Sequence, residues 1–199
     1  VSGPKEDERM SLHSKRLVLR PFEKSSEQDM EALYRLLADE TVNTFLPWFP
    51  VQSREEALVF YQERLENEPY FFAVCRKEDN LPIGYLKADT GEGHDLGYAL
   101  RREYWRQGLM SEAGEVLLPF LKKEGFPYLT ATHDRNNPAS GGVMKRLGMI
   151  YCYSYQEQWQ PKDFPVIFRL YQLNLDGQAG RVFSKYWEQS TVHFIEENV

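Results

Sequence analysis

The sequence is poor in cysteine: Cys75 and Cys152 are the only two among 199 residues, and no histidine stands at ligand spacing from either. This excludes a disulfide framework and gives no sign of a metal site. A reducing cytoplasm is therefore the expected location.

An excess of basic residues is also missing. The formal net charge is −6, which argues against a nucleic-acid-binding protein. The acidic balance suits a cationic substrate, or it serves solubility alone.

Long apolar runs are absent as well. The central run 116–121 is short and is interrupted by Pro119, so no membrane span is predicted. The length and the 42% hydrophobic content are those of one folded domain, expected over residues 15–176. The polar segment 1–14 is expected to be flexible. Segment 177–199 is too aromatic for a free tail and is predicted to pack on the domain or on a partner chain, which leaves a homodimer open.

Hydrophobic periodicity predicts a mixed α/β (α+β) protein. Turn and capping residues set the expected order β-α-α-β-β-β-α-β-α-β-β, with a central, mostly antiparallel, twisted sheet of about six to seven strands and about four flanking helices. The expected strands are 16–22, 70–76, 81–87, 95–101, 128–133, 149–159 and 166–175, and the expected helices are 27–38, 53–67, 110–123 and 138–147. Pro119 interrupts the third helical pattern and predicts a kink or a shorter helix there.

The segment 96–113 reads as a strand, a polar turn containing Gly108, and the start of a helix. The free amides and the dipole of a helix N-terminus favour an anion such as a pyrophosphate. A glycine at this place lets the backbone approach the ligand closely. The same glycine is also compatible with a simple turn.

Several motifs occur in a fixed order along the chain. They are Arg16-Leu-Val-Leu-Arg-Pro-Phe22, Ile83-Gly-Tyr85, Leu96-Gly-Tyr-Ala-Leu100, Tyr104-Trp105 through Ala113, Asn136-Asn-Pro-Ala-Ser140, and Leu147-Gly148. Together they resemble the GNAT superfamily of N-acetyltransferases, in particular its RimJ/RimL-like branch of ribosomal-protein-alanine acetyltransferases. The resemblance implies a GNAT-like domain that transfers an acetyl group from acetyl-CoA to a primary amine in a ternary complex, without a metal.

The resemblance also implies the residues that bind acetyl-CoA. Backbone amides should cradle the pyrophosphate, two strand residues should pair with the pantetheine arm, and Asn137 and Ser140 should contact pantetheine and the thioester end. Asn137 and Ser140 are equally typical of a helix N-cap beside Pro138. The cradle residues are Gln107, Gly108, Leu109, Met110 and Ser111, and the strand residues are Ala99 and Leu100.

Two departures from the family pattern concern bulk and catalysis. Met110 stands where the turn usually ends in glycine or alanine, so its side chain must point away from the phosphates. Met144 stands where many members place a tyrosine general acid, which leaves Ser140 near the sulfur or an unprotonated thiolate as the leaving group. The candidate general bases are Asp95, otherwise a solvated strand-edge carboxylate, and His133, otherwise an ordinary strand histidine.

The aromatic, proline-rich link between the first two helices contains Phe45, Trp48 and Phe49. These side chains line the amine acceptor pocket or form a lid on the core. A non-catalytic acyl-CoA-binding sensor or assembly protein remains the alternative function.

Overall fold

A computed structural model describes residues 11–199, so the first ten residues of the predicted flexible segment 1–14 lie outside the described residues. The strands are β1 (Leu12–His13), β2 (Leu17–Arg20), β3 (Phe71–Arg76), β4 (Pro82–Ala88), β5 (Leu96–Leu100), β6 (Tyr128–Asp134), β7 (Ile150–Trp159), β8 (Phe164–Asn174) and β9 (His193–Phe194). The helices are α1 (Glu27–Ala38), α2 (Glu40–Asn43), α3 (Arg54–Arg64), α4 (Leu109–Lys123), α5 (Pro138–Arg146) and α6 (Lys185–Gln189), with a 3-10 turn at Arg102–Tyr104.

The described strands form two sheets, in the orders β1-β2-β3-β4-β5 and β6-β8-β7-β9. The predicted mixed α/β class and the mostly antiparallel pairing are confirmed. The expected single sheet is instead divided, because Asp95 beside β5 forms one isolated parallel bridge with Thr130 of β6 rather than a ladder. Two-residue strands β1 and β9, together with the short helices α2 and α6, add to the predicted elements.

The chain divides into two compact units. Of the described residues, the first unit contains 11–44, 50–87 and 98–117, and the second contains 45–49, 88–97 and 118–199.

In the first unit, helix α1 begins at the N-cap Ser26, whose hydroxyl accepts from the amide of Asp29. Asp29 lies on the buried face of the helix, where its carboxylate meets the half-buried guanidinium of Arg20. Arg20 donates to it from both terminal nitrogens, at 2.7 and 3.0 Å, and the amide of Glu23 donates at 2.8 Å. Pairing offsets the cost of removing these charges from water.

Helix α4 runs without interruption through Pro119, so the alternative of a shorter helix is wrong. Proline has no N–H and withdraws one intrahelical hydrogen bond. The apolar face of the helix offsets this loss, since Ala113, Leu117 and Leu121 are fully buried.

The second unit is built on the sheet β6-β8-β7-β9. Its aromatic core contains Tyr155, Trp159 and Phe168, and Phe183 joins them from the C-terminal segment. Strand β9 of the same segment pairs with β7. The hydroxyl of Tyr153 donates to the carbonyl of Phe183 at 2.7 Å, which fixes the start of the segment on this core.

Candidate active site

The polar turn before α4 belongs to the first unit, and two of its residues have a left-handed backbone conformation. Arg106 has φ of +60° and Gly108 has φ of +72°, which reverse the chain over three residues. The indole nitrogen of Trp105 donates to the carbonyl of Leu100 at 2.8 Å and fixes the turn on the end of β5. The amide of Glu112 donates to the carbonyl of Gly108 at 3.0 Å. Helix α4 therefore starts immediately after the glycine.

The side chains of this turn leave its backbone open. Leu109 and Met110 are buried, with Met110 5% exposed, so their side chains point into the core. The side-chain amide of Gln107 donates back to the carbonyl of Glu103 at 3.1 Å. The first amides of a helix have no intrahelical acceptor, so those of Leu109, Met110 and Ser111 are donors available to a ligand.

Two further observations fit an anion at this turn. A Cβ placed on Gly108 would have no atom nearer than the Nη2 of Arg16, at 3.9 Å, so one face of the glycine is open. Ser111 is buried, and its hydroxyl has no hydrogen-bond partner within the described part of the chain. The residues present therefore fit a phosphate group, for which a helix N-terminus supplies N–H donors and partial positive charge.

The predicted pantetheine-binding residues Ala99 and Leu100 end β5. A Cβ on Gly84 of β4 would overlap the carbonyl oxygen of Ala99, so the close approach of the two strands requires glycine there. The amide of Arg101 donates to the carbonyl of Ile83 at 2.8 Å, which continues the pairing past β5.

In the second unit, Asp95 is half-buried, and its carbonyl accepts from the amide of Asp89 at 2.9 Å. Burial, with Asp95 as a further electrostatic cause, raises the pKa of Tyr186 to about 12 and the pKa of Tyr155 well above its ordinary value. The two phenol rings stack at 5.0 Å. Asp95 thus acts electrostatically on a tyrosine pair to which the C-terminal segment contributes Tyr186, an effect that local sequence patterns do not reveal.

His133 on β6 is only 4% exposed. Its Nδ1 lies 2.7 Å from the carbonyl oxygen of Asp134, and its Nε2 faces Gly141 of α5. Burial lowers the pKa of His133 below 6.5, and Arg169 lowers it further, against the opposing effect of the Asp134 carbonyl. The imidazole is consequently neutral at physiological pH and enclosed by protein.

Asn137 is the N-cap of α5, where its Oδ1 accepts from the amide of Ser140 at 3.4 Å. The structure therefore shows the capping arrangement for this pair. The side-chain amide of Asn137 donates to no described residue, which leaves it available to a carbonyl of a ligand. Met144 on the same helix is 1% exposed, so its side chain belongs to the core.

The predicted acceptor residues differ in exposure. Phe45 and Trp48 are half-buried, whereas Phe49 is 61% exposed. All three fall in the second unit, as do Asp95 and the α5 residues, while the turn residues fall in the first. Two further features are absent from residues 11–199. No group of three or more histidine, cysteine, aspartate or glutamate side chains could hold a metal ion.

In the same residues, no helix is both long and apolar enough to cross a membrane.

The family model of the acetyltransferase (GNAT) domain matches residues 16–150, which include the turn, α4 and the α5 residues. The chain belongs to the GNAT family of acetyltransferases. It is therefore an acyltransferase, and the predicted resemblance is confirmed. Residues 151–199, with Tyr155 and Tyr186, lie outside the matched range.

Individual relatives agree with this family. The uncharacterized N-acetyltransferase YnaD of Bacillus subtilis (strain 168) is 27% identical over 144 residues, which cover 70% of this chain and 82% of YnaD. A GNAT-family acetyltransferase from Bacillus anthracis has the same fold, with a TM-score of 0.73 at 21% identity over 84% of this chain and 99% of its own. RimL, a ribosomal L7/L12 alpha-N-protein acetyltransferase solved with coenzyme A, also has this fold. Its TM-score is 0.68 at 23% identity, over 82% of this chain and 96% of RimL.

Proposed function

We propose that this GNAT enzyme transfers an acetyl group from acetyl-CoA to a primary amine, either a protein N-terminal α-amine or the amine of a small molecule. The observation that carries the donor assignment is the turn before α4, where Gly108 at φ of +72° opens the backbone amides of the first helical turn. These amides suit the pyrophosphate of a CoA thioester. The resemblance to the family implies the same role for this turn.

This proposal assigns residues of each unit to the donor. Gln107 to Ser111 hold the pyrophosphate through main-chain amides. Ala99 and Leu100 align the pantetheine arm along β5, although the carbonyl of Leu100 already accepts from Trp105. The side-chain amide of Asn137 contacts a pantetheine carbonyl while its Oδ1 caps α5.

Asp95 is the proposed general base, because the other candidate is enclosed. His133 is buried, and both of its nitrogens face protein atoms, so it supports the packing of α5 on β6 rather than touching the substrate. Asp95 is half-buried and accepts the amine proton directly or through a water. A base matters less for an α-amine, with a pKa of about 7.7 to 8.0, than for a lysine near 10.4.

The reaction is a direct substitution at the thioester. Acetyl-CoA supplies the activated acetyl group when bound. The neutral amine forms the new C–N bond and the C–S bond breaks, so the products are the amide and the CoA thiolate, and Asp95 takes the proton from nitrogen. The thiolate leaves without an acid at the Met144 position, because a thiol with a pKa of about 8.5 is a tolerable leaving group near neutrality. Ser140 at the start of α5 is the proposed alternative, as a donor to the leaving sulfur.

An N-terminal α-amine is the first acceptor to test, because RimL, a neighbour in fold, is an alpha-N-protein acetyltransferase. The net charge of −6 also suits a cationic acceptor. Phe45, Trp48 and Phe49 are the proposed apolar lining of the acceptor pocket. The proposed setting is the reducing cytoplasm.

Calorimetric titration with acetyl-CoA and CoA tests the donor site. The parent should bind both at micromolar affinity, and Gly108→Glu should abolish binding because it brings a negative charge to the cradle. Gly125→Glu is the matched control: Gly125 has φ of +93° and no neighbouring atom within 4 Å, so this variant carries similar backbone strain outside the cradle. Equal loss in both variants, or no binding by the folded parent, would refute the proposed donor site.

Turnover then separates an enzyme from a sensor. Acetyl-CoA is supplied with peptides bearing free or blocked N-termini and with polyamines, and thiol release is followed. Asp95→Asn should lower kcat while leaving the CoA affinity unchanged, with a larger effect on lysine-like amines than on α-amines. Donor binding without thiol release across the panel would favour the non-catalytic alternative.

A further inference from the structure

The first turn of α4 contains an acidic residue at a place where the proposed donor site must accept an anion. Glu112 lies four residues after Gly108, to whose carbonyl its amide donates. Burial opposes the ionisation of Glu112, but hydrogen bonds from Ser14 and Arg16 outweigh it and hold the pKa of this carboxyl below 4.5. The side chain is therefore negatively charged at neutral pH. An uncompensated carboxylate in this turn would repel a phosphate.

Arg16 neutralises that carboxylate. Its Nε lies 2.6 Å from Oε2 of Glu112, and its backbone amide donates to Oε1 at 2.8 Å. The hydroxyl of Ser14 donates to the same Oε1 at 2.7 Å. Contacts from main chain and side chain thus hold the carboxylate against the β1–β2 connection, and they fix the direction of the guanidinium.

The guanidinium also reaches the turn itself. Nη2 of Arg16 lies 3.9 Å from the position that a Cβ on Gly108 would occupy. Guanidinium has five N–H donors in a planar fork, and Glu112 uses the one on Nε. Among the described residues, the hydrogen bond from the Arg16 guanidinium to Glu112 runs through Nε, and the side chain is 46% exposed. Cationic donors therefore stand beside the open face of the glycine.

Glu112 in the first turn offsets the partial positive charge of the helix N-terminus and the charge of Arg16. An anion at the turn would contact the helix amides and the guanidinium together. Charge-assisted hydrogen bonds of this kind are about twice as strong as neutral ones.

We propose that Arg16 binds the pyrophosphate of the acyl-CoA from the β1–β2 side, and that Glu112 positions it there. This inference rests on the proposed function, because it concerns the same donor site. It assigns a side chain 92 residues before Gly108 to a site that main-chain amides otherwise form.

Binding of three ligands to the intact protein tests the assignment. Arg16→Gln should weaken the binding of CoA and of 3′-dephospho-CoA equally, by roughly 10- to 30-fold, the size expected for a charge-assisted contact. Pantetheine, which lacks the pyrophosphate, should bind the variant and the parent alike. A loss confined to CoA would place Arg16 at the 3′-phosphate and overturn the proposal, as would an equal loss with pantetheine.

Two further variants separate charge from folding. Arg16→Gln/Glu112→Gln should recover only the part of the affinity that the repelling carboxylate costs, because the guanidinium contact is still missing. Recovery of the full parent affinity would mean that Arg16 only neutralises Glu112 and would overturn the proposal. Arg35→Gln is the matched control, since Arg35 pairs through Nε with Glu31 at 2.8 Å on the exposed side of α1. It should leave CoA affinity unchanged, and thermal melting reports whether each variant is folded.

The outcomes also distinguish a failure of the Arg16 assignment from a failure of the proposed donor site. If the parent binds CoA and Arg16→Gln binds equally well, the Arg16 assignment fails and the donor site stands. If the folded parent binds neither CoA nor 3′-dephospho-CoA, both fail.

Discussion

Gly141 and Gly142 are adjacent in α5, and the structure predicts opposite effects for the same substitution at each. Helix propensity alone favours alanine at both positions by about 0.5 to 1 kcal/mol. A Cβ on Gly142 would meet no atom within 4 Å, so this gain should appear in full. A Cβ on Gly141 would lie 2.6 Å from Nε2 and 3.0 Å from Cε1 of His133, well inside van der Waals contact.

The imidazole cannot move away cheaply. His133 is buried, its Nδ1 meets the carbonyl of Asp134, and its ring lies 5.6 Å from that of Tyr171. Overpacking a core of this kind costs about 1 to 3 kcal/mol, so Gly141→Ala should be net destabilising by up to about 2 kcal/mol. The two variants should then differ by about 2 kcal/mol, or roughly 4 to 8 °C in Tm for a chain of this length.

Thermal unfolding followed by circular dichroism measures the difference. The contact with His133 is isolated by a double-mutant cycle, in which Gly141→Ala is introduced into a His133→Ala background. The steric penalty should disappear there. Equal stabilisation by alanine at both glycines, or a penalty that persists without the imidazole, would refute the packing of α5 on β6 described above.

Three shorter predictions concern other buried groups. Because the pKa of His133 is lowered in the folded protein, the unfolded chain takes up the proton at a higher pH. The free energy of unfolding should therefore fall as pH drops below 6.5, by at most about 1.4 kcal/mol per pH unit. Denaturant titrations of His133→Phe should lack this pH dependence. Asp29→Asn should cost about 3 to 5 kcal/mol in chemical denaturation, because it leaves the charge of Arg20 uncompensated, and a cost below 1 kcal/mol would contradict the buried pair. Burial raises the pKa of the Cys75 thiol to about 12 and that of Cys152 to about 11, so iodoacetamide at pH 7.5 should label both only after unfolding, as mass spectrometry would show.

Much of the fold follows from local sequence. The hairpin predicted over 70–76 and 81–87 is present as the antiparallel pair of β3 and β4. Helix α1 begins at Ser26 because a serine hydroxyl caps the first amides of the acidic turn that follows. These signals need only neighbouring residues, so a single sequence contains them.

Some features of the candidate site were predictable from the sequence, and others were not. The turn around Gly108 was predictable, because strand, polar turn, glycine and helix start follow one another in the chain. The role of Asn137 as an N-cap was one of two readings that the sequence left open, and geometry shows that the cap is formed. The catalytic assignments of Asp95 and Ser140 remain proposals.

By itself, then, the sequence determined the order of the main elements, the family and the position of the turn that is proposed to bind phosphate, because each depends on residues close together in the chain. Only the tertiary structure decided which charges meet and which glycines have room. Arg16 reaches Glu112 across 96 positions. A Cβ on Gly141 would meet His133, while a Cβ on Gly142 would meet no atom within 4 Å. No local pattern encodes such contacts, because they depend on how β-strands and helices pack after they have formed.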